Sequence, residues 1–222
     1  MLACRSLMKR YVTDRGPVEA VRGIDLDIEA GRYAAIVGRS GSGKSSLMSM
    51  IGGLSRPTAG HVLIGGTDIW ALSEANAAAF RNTHVGYVFQ FASLLPNLRA
   101  VDNVALPARL AGTLGRRETA AMAAERLLDV GLDNHFDAFP SELSSGEQRR
   151  VVIARALMNQ PRLILADEPT SDLDEQTERD IMAVLLAINR DRRTTLLLVT
   201  HNLALAGQAE QIIQIADGVI AP

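Results

Sequence analysis

A glycine-rich segment lies between an apolar run and a helical pattern in the first quarter of the chain. The apolar run is Ala34 to Val37, and the helical pattern covers Ser46 to Ile51. The segment between them matches the pattern G-x-x-x-x-G-K-[ST] and consists of Gly38, Arg39, Ser40, Gly41, Ser42, Gly43, Lys44 and Ser45. A strand, a tight loop and a helix in this order predict an α/β fold in which backbone N–H groups of the loop surround an anion.

The loop has the residue types that bind a triphosphate. The Lys44 ammonium would neutralise oxygens of the β- and γ-phosphates, and the Ser45 hydroxyl would bind Mg²⁺. A glycine-rich turn without a ligand is the alternative. The strand and the helix on its two sides favour the phosphate loop.

Two adjacent carboxylates follow a second apolar run. Leu163 to Ala166 predict a buried strand, and Asp167 and Glu168 come directly after it. Asp167 would hold Mg²⁺ through its water shell, while Glu168 would be the general base for a water that attacks the γ-phosphate. A buried strand that ends in an acidic loop is common, so this pattern is informative mainly because a phosphate loop accompanies it.

Short apolar runs alternate with longer helical patterns along the chain, and this alternation predicts parallel strands. Two further runs are Val85 to Phe89, followed by Gln90, and Leu196 to Thr200, followed by His201. Ligands bind beyond the carboxyl ends of parallel strands. We therefore expect both polar side chains to lie beside the phosphate loop and the two carboxylates.

A single domain, residues 1–222, is expected, with a helical insertion. Strand patterns are missing from about residues 96–160, where alanine, leucine and arginine recur at helical spacing. The catalytic core would then comprise about residues 1–95 and 161–222. Within the insertion, the spacing predicts helices over Arg116 to Val130 and Glu147 to Met158.

The two ends of the chain carry strand patterns of a different kind. Before Gly31, apolar and polar residues alternate, and this predicts a half-buried antiparallel strand whose inward residues include Ile24, Leu26 and Ile28. At the other end, Gln211 to Pro222 predict a hairpin that turns at Asp217-Gly218.

The composition excludes several classes of protein. With 47% hydrophobic and 22% charged residues, the chain is typical of a folded globular domain. A formal net charge of −2 gives no bias towards nucleic acid, so no nucleic acid is expected as a partner. The apolar runs are far shorter than the roughly 18 residues that a membrane-spanning helix requires. A single cysteine, Cys4, excludes an intrachain disulfide and indicates a reducing compartment such as the cytoplasm.

A third motif precedes the two carboxylates and closely resembles the signature of ABC ATPases: Leu143, Ser144, Ser145, Gly146 and Glu147, followed by the helical pattern of Gln148 to Leu157. Gln90 resembles the Q-loop glutamine of that family, Ser171 to Asp174 resemble its D-loop, and His201 resembles its switch histidine. The motifs occur in the family's order and span essentially the whole chain. The resemblance implies a P-loop NTPase with an ABC-type core: a mixed, parallel-containing sheet, an N-terminal antiparallel β subdomain and an inserted α-helical subdomain.

Within the family, three segments resemble the branch that powers MacB-type exporters and LolD-type lipoprotein release: Ile24 to Gly31, Gln90 to Pro96, and Ala154 to Asn159. The resemblance implies an ATP-hydrolysing subunit that dimerises head to tail around Mg-ATP, as a homodimer in the simplest case. Such a subunit would drive a separate integral-membrane permease and lie in the cytoplasm, peripheral to the inner face of the cell membrane. The alternative is a regulatory module like FtsE, which signals through a membrane partner and moves no cargo.

The same resemblance assigns roles to individual residues. Catalysis would use Glu168, His201 and Lys44, and Mg²⁺ would be held by Ser45, Gln90 and Asp167. The ATP-binding set comprises Tyr11, Gly38, Arg39, Ser40, Gly41, Ser42, Gly43, Lys44, Ser45 and Ser46. The facing subunit's ATP would meet the signature residues Ser144, Ser145, Gly146 and Glu147, and Asp174 belongs to the D-loop.

Three of these assignments have alternatives. Tyr11 would stack on adenine, where an aromatic face meets the base at modest entropic cost, or it would only pack at a strand end. Gln90 would reach Mg²⁺ or the attacking water, or it would be an ordinary polar residue after a strand. Phe91, Leu94 and Leu95 would line the groove that receives the permease in relatives, or form a buried hinge.

The signature departs from the family's usual pattern at one position. Relatives carry two glycines there, whereas this chain has Ser145 in place of the first. A side chain at a point of close approach to phosphate could weaken the closed dimer, or its hydroxyl could supply a further hydrogen bond. The sequence alone leaves both outcomes open.

Overall fold

The computed structural model describes residues 1–14, 16–112 and 114–221 of the chain. The strands are β1 (Leu2–Thr13), β2 (Gly16–Ile28), β3 (Tyr33–Val37), β4 (Ala59–Ile64), β5 (Thr67–Asp68), β6 (Val85–Val88), β7 (Leu163–Asp167), β8 (Thr195–Val199), β9 (Gln211–Ala216) and β10 (Val219–Ile220). The α-helices are α1 (Lys44–Ile51), α2 (Glu74–His84), α3 (Ala100–Ala111), α4 (Arg116–Leu128), α5 (Ser145–Leu157), α6 (Glu175–Arg192) and α7 (Leu203–Ala206). In this described part of the chain, no helix combines the length and apolarity needed to cross a membrane.

A six-stranded sheet forms the centre of the fold, in the order β10-β9-β3-β8-β7-β6. Its strands run parallel from β9 to β6, and β10 pairs antiparallel to β9 at the edge. Every residue of β3 and β8 is buried, as expected for parallel strands that are covered on both faces. The predicted mixed sheet is confirmed.

A second sheet is antiparallel, in the order β2-β1-β4-β5. Leu2 of β1 pairs with Ile28 of β2 on one side and with Ile64 of β4 on the other. Ile24, Leu26 and Ile28 are buried, while the residues between them are exposed. The alternating pattern of the sequence therefore marks the side of the strand that packs on the core, and the predicted antiparallel β subdomain is confirmed.

The last two strands form the predicted hairpin, which turns at Asp217 and Gly218. Both residues have positive φ angles, 49° and 80°, in the left-handed region that glycine adopts without steric penalty. The Gly218 N–H donates to the Ser42 carbonyl at 3.0 Å, and the Gly218 carbonyl accepts from the Arg22 N–H at 2.8 Å. The hairpin therefore connects the antiparallel sheet to the phosphate loop.

Three helices, α3, α4 and α5, lie in the stretch where the sequence predicts a helical insertion, and a 3-10 turn, Pro140–Glu142, precedes α5. Their apolar faces meet in one buried cluster that includes Val104, Leu127 and Val151. Helix α5 begins two residues earlier than its apolar pattern, because the Ser144 side chain caps it. Helix α4 ends at Leu128, two residues earlier than predicted.

The central sheet has a hydrophobic core on each face. On β8, Leu196 and Leu198 pack with α5 and α6, whereas Leu197 and Val199 pack with α1 and the antiparallel sheet. This alternation is the two-residue period of a strand that is buried on both faces. Because β3, β6, β7 and β8 run in the same direction, the segments that follow them leave from one edge of the sheet, which is where the predicted site residues lie.

Candidate nucleotide-binding site

A cavity of about 430 Å³ opens at the carboxyl ends of the parallel strands. It brings together most of the predicted site residues from segments that are far apart in the sequence. The lining residues are Ala20, Gly38, Ser40, Gly41, Gly43, Lys44, Ser45, Ser46, Gln90, Asp167, Glu168, Ser171, Val199 and His201. Ala20, Val199 and Ser171 are lining residues that were not predicted from the sequence. Ser171 does carry a sequence signal, since it is the first residue of the D-loop.

The phosphate loop leads directly into α1. Gly43 is the N-cap of that helix, with φ 106°, and offers no side chain that could cap it. The first N–H groups of a helix have no partner within it, so those of Lys44, Ser45 and Ser46 are available to an anion. The positive end of the helix dipole adds to the same point. The loop therefore has the properties of a phosphate cradle.

Two glycines of the loop are required by close approach to backbone. A Cβ at Gly38 would lie 2.2 Å from the Ile215 carbonyl oxygen, and a Cβ at Gly43 would lie 2.1 Å from the Ala20 carbonyl oxygen. Gly41 has φ 78°, but none of the described residues has an atom within 4 Å of a Cβ placed there. The loop is thus held between β9 and β2, while its Gly41 side is open.

The Lys44 ammonium folds back over the loop. It donates to the carbonyl oxygens of Gly38 at 2.8 Å and Arg39 at 3.0 Å. Arg39 and Ser42 do not line the cavity. Arg39 contributes its carbonyl, and the Ser42 hydroxyl is buried without a hydrogen-bond partner among the described residues.

The two carboxylates stand side by side at the end of β7. Burial raises the pKa of Asp167, the neighbouring charge of Glu168 raises it further, and Lys44 acts in the opposite direction. A cation bound beside Asp167 would stabilise its ionised form and offset the cost of burying the charge. Asp167, the Ser45 hydroxyl and the Gln90 amide all line the cavity and all offer hard oxygen atoms. This donor set fits Mg²⁺.

Glu168 and His201 are in direct contact. The Nδ1 atom of His201 lies 2.9 Å from Oε2 of Glu168, and the His201 backbone nitrogen lies 3.4 Å from the same oxygen. The Glu168 side chain is 17% exposed, whereas the imidazole is 70% exposed. The histidine therefore covers the carboxylate from the solvent side.

Gln90 follows β6 and faces the D-loop segment. Its Nε2 donates to the Ser171 hydroxyl at 3.5 Å, and both side chains line the cavity. Of the three apolar residues after it, Phe91 and Leu95 are exposed, and Leu94 packs against the core of the helical segment.

The signature residues lie outside the lining of this cavity. Ser144 caps α5: its hydroxyl accepts from the Glu147 N–H at 3.3 Å and donates to Glu147 Oε2 at 2.7 Å, while its own N–H donates to that oxygen at 2.8 Å. The hydroxyl and the N–H of Ser144 hold the pKa of Glu147 below its usual range. The side chain of His135 lies 3.3 Å from the other oxygen of Glu147.

Ser145 and Gly146 differ in their surroundings. Ser145 is the first residue of α5 and is exposed. A Cβ at Gly146 would lie 2.7 Å from Cγ2 of Thr177 on α6. A side chain at position 146 would therefore force Thr177 or α6 to shift, whereas position 145 already accommodates one.

Asp174 begins α6 as its N-cap. It accepts from the N–H groups of Gln176 and Thr177, each at 3.0 Å, and from the Thr177 hydroxyl at 2.6 Å. These hydrogen bonds, the hydroxyl first, lower the pKa of Asp174. Its carboxylate lies outside the cavity lining, and its contacts within the chain are those of a helix cap.

Tyr11 lies on β1, opposite Val18, beside rather than within the cavity. Its hydroxyl donates to the Ser46 hydroxyl at 3.4 Å, and the Lys9 ammonium lies 5.0 Å from the ring centroid. The ring is 39% exposed. The contact with Ser46 places Tyr11 next to the first turn of α1.

The comparisons with known proteins agree with these motifs. A family model described as ABC transporter matches residues 21–171. The lipoprotein-releasing system ATP-binding protein LolD of Syntrophus aciditrophicus is 44% identical over 220 residues, which cover 99% of this chain and 98% of that protein. The macrolide export ATP-binding/permease protein MacB of Rhodopirellula baltica is 43% identical over 222 residues, which are all of this chain and 32% of that longer protein.

The fold is also shared with a solved structure. The ATP-binding cassette MJ0796, in a dimeric post-hydrolysis state bound to ADP and Pi, superposes with a TM-score of 0.91 at 36% identity, covering 100% of this chain and 97% of that one. The family and the enzyme class that the motifs predict are therefore confirmed. The chain belongs to the ABC transporter family and is an ATP-binding cassette that hydrolyses ATP.

Proposed function

We propose that this ATPase closes head to tail with a second copy of itself around two molecules of Mg-ATP, and that closure drives a separate membrane permease. One observation carries the proposal: the cavity holds the phosphate loop and the catalytic residues but not the signature. A cassette in which the signature lies elsewhere needs the signature of a second chain to surround the γ-phosphate. The dimeric state of MJ0796 supports the same arrangement.

The residues of one chain would divide the work as follows. The N–H groups of the loop and Lys44 bind the phosphates and stabilise charge on the oxygens of the transferred group. Glu168 accepts the proton of the attacking water, and His201 keeps its carboxylate oriented from 2.9 Å. The helix N-terminus at Ser144 of the facing chain then supplies further N–H groups to the γ-phosphate.

Ser45, Asp167 and Gln90 would hold Mg²⁺. When bound, Mg²⁺ neutralises charge that develops between the β- and γ-phosphates. In this arrangement Asp167 has its burial cost offset by a cation, and Gln90 joins the metal site to the segment that follows β6.

An apolar groove offers the place where a permease would dock. A cavity of about 860 Å³ lies between α2, the end of α3 and β6, lined by small alanines of α2 and by Leu54, Tyr87, Phe89 and Leu110. Leu110 is 82% exposed, and Phe91, on the segment after β6, is 71% exposed. Exposed apolar surface of this extent indicates an interface. The groove adjoins the segment that carries Gln90, so a short apolar helix of the permease seated there would sense the nucleotide.

The relatives favour export or membrane extraction as the work done. Several proteins 40–44% identical over almost the whole chain are named lipoprotein-releasing system ATP-binding proteins, and others are named macrolide export ATP-binding/permease proteins. We therefore assign a LolD- or MacB-like role, with the ATPase held at the inner face of the cell membrane by its permease.

The dimer is tested by size-exclusion chromatography of Glu168→Gln with and without Mg-ATP. Trapped nucleotide should shift this variant to twice the monomer mass, and Lys44→Ala, which loses the phosphate contact, should stay monomeric. A Glu168→Gln chain that binds ATP and stays monomeric would contradict ATP-driven closure of two copies.

The docking groove is tested by the fraction of protein that sediments with membranes of cells that contain its permease. Leu110→Glu and Phe91→Glu place a charge in or beside the groove and should lower this fraction severalfold. Val12→Glu is the matched control, because Val12 is 90% exposed on β1, away from the groove. Equal loss in the control, or none in the groove variants, would contradict docking there.

A further inference from the structure

Arg149 is the largest fully buried side chain in the described part of the chain, with 1% of its surface exposed. It lies on α5, five residues after the Ser144 cap. Its guanidinium donates to the Phe89 carbonyl at 2.5 Å, to the Gln90 carbonyl at 2.6 Å and to Asp172 Oδ1 at 2.9 Å. This one side chain therefore connects three segments, because it belongs to the signature helix and donates to both the segment after β6 and the D-loop.

A second contact joins two of the same segments. The Gln90 side chain donates to the Ser171 hydroxyl, one residue before Asp172. Gln90 is thus held at two points: its backbone carbonyl accepts from Arg149, and its side-chain amide donates to Ser171. Its reach into the cavity depends on where the first contact holds its backbone and the second holds its side chain.

Burying this cation is an unusual way to stabilise a fold. Its Nε atom is buried without a hydrogen-bond partner among the described residues. A buried ion pair can often be replaced by apolar residues of similar volume without loss of stability, whereas geometry is what such contacts specify. The burial of Arg149 is therefore better explained by the positions that it fixes than by the stability that it adds.

We propose that Arg149 is a positioning residue for ATP hydrolysis: it fixes the Gln90 backbone and Asp172 relative to α5, so that the Gln90 side chain is aligned with the metal and the attacking water whenever the signature is in place. This inference rests on the roles given above to Gln90 and the signature. It also explains how one side chain can link the two ends of the catalytic assembly, since α5 begins at the residues that meet the facing chain's ATP.

The next residue along α5 offers a matched control. Arg150 is also an arginine that donates to a backbone carbonyl, that of Val130, at 2.6 Å. This bond stays within the helical segment and touches neither Gln90 nor the D-loop. Arg149→Gln and Arg150→Gln therefore make the same chemical change on the same helix, and only the first removes a contact to the site.

The experiment is a double-mutant cycle on ATP turnover, with Arg149→Gln, Gln90→Ala and the pair. Arg149→Gln alone is expected to lower kcat about tenfold while KM for ATP changes less than about twofold, because the phosphate loop is untouched. In the Gln90→Ala background the same substitution should change kcat less than about twofold. Arg150→Gln should lower the melting temperature yet have an equal effect on kcat in both backgrounds.

The opposite pattern would overturn the proposal: an equal fall in kcat from Arg149→Gln in both backgrounds, or the same coupling to Gln90 from Arg150→Gln. If Arg149→Gln does not fold, the same cycle is made with Asp172→Asn instead, because Asp172 is half-exposed and loss of its charge weakens the same contact. It should lower kcat severalfold and show the same coupling, and additivity there would overturn the proposal too. If the unmodified protein did not hydrolyse ATP, the assignment of ATPase activity would be wrong, and the role of Arg149 would fail with it.

Discussion

His201 Nδ1 lies 2.9 Å from Glu168 Oε2, and this contact joins the ends of two neighbouring strands, β8 and β7. The Glu168 N–H also donates to the Val199 carbonyl at 2.9 Å, and its backbone is left-handed, with φ 46°. A non-glycine residue adopts such a conformation at a cost of about 1–2 kcal/mol. The backbone strain and the histidine together aim a single carboxylate into the cavity.

Glu168→Gln tests the role of this carboxylate. The amide has the same size and can still contact His201, but it cannot accept a proton from water. We expect kcat to fall about 10²- to 10⁴-fold, the contribution of a general base, while ATP affinity changes little. Steady-state turnover and equilibrium binding of ATP measure the two effects separately.

Lys44→Ala is the control, because it should mainly weaken ATP binding, whereas Glu168→Gln should mainly lower kcat. Loss of its ammonium should weaken ATP binding itself, since the phosphate charges are no longer neutralised. If both substitutions reduced binding equally, the separate roles given to Glu168 and Lys44 would be wrong.

Much of the site could be predicted because its residues come directly after strands. Gln90, Asp167 and His201 each follow a short apolar run, and parallel topology brings such positions to one edge whatever the length of chain between them. The phosphate loop was predictable for a second reason. Backbone oxygens would lie within 2.2 Å of a Cβ atom at Gly38 or Gly43, so both positions exclude every other residue type. The sequence therefore shows two glycines at the spacing of the motif.

Contacts made by side chains across long separations could not be predicted. Arg149 reaches carbonyls 59 and 60 residues earlier, and nothing in its local sequence distinguishes it from Arg150. Helix α2 was missed as well, although Ser73 caps it and alanines fill it, because its apolar pattern is weak and just one of its residues, Ala77, is buried. Local patterns indicate elements and strand ends, whereas tertiary packing decides the partners.

Asp167→Asn should stabilise the nucleotide-free chain. The pKa of Asp167 is raised, so its ionisation opposes folding. The protonated carboxyl contributes stability that is present below the unfolded pKa, near 4, and is lost as pH rises through the folded pKa. At pH 7, where the unmodified Asp167 bears the cost of a buried charge, the amide should therefore raise the melting temperature. ATP hydrolysis should be lost.

The pH dependence gives this prediction its control. Measured without Mg²⁺, the gap in melting temperature between Asp167→Asn and the unmodified chain should shrink as pH falls from about 7 towards about 4. Asp174→Asn should show the opposite sign, a lower melting temperature at neutral pH, because the pKa of Asp174 is lowered and its contribution is lost as pH falls. A constant gap for Asp167→Asn across this range would show that its charge is not what opposes folding.

Gly43→Ala and Gly41→Ala form a matched pair in the phosphate loop. Both have positive φ, so both substitutions carry backbone strain of about 1–2 kcal/mol. Only Gly43 also meets backbone, the Ala20 oxygen at 2.1 Å. We expect Gly43→Ala to cost about 3 kcal/mol or more and to lower the melting temperature of the nucleotide-free chain by about 6–12 °C, roughly twice the effect of Gly41→Ala. Equal losses would show that the loop moves away from β2.

Ser145→Gly tests the one departure of the signature from the family's pattern. Ser145 is exposed at the start of α5, and its hydroxyl makes no hydrogen bond within the described residues, whereas a Cβ at the neighbouring Gly146 would lie 2.7 Å from Cγ2 of Thr177. In the proposed dimer, the Ser145 side chain would meet the facing chain at the point where a phosphate would approach the backbone closely. Relief of about 1 kcal/mol of crowding there corresponds to about a fivefold rise in ATP turnover.

The fold itself should change little in Ser145→Gly, because the first position of a helix tolerates glycine at a cost below about 1 kcal/mol. Gly146→Ala is the contrasting variant, since its methyl group would press on α6 and lower the melting temperature. Turnover is measured together with the fraction of dimer formed by the Glu168→Gln background in Mg-ATP. If Ser145→Gly leaves both unchanged or lowers them, the Ser145 hydroxyl contributes a hydrogen bond to closure rather than hindering it, and the crowding explanation is wrong.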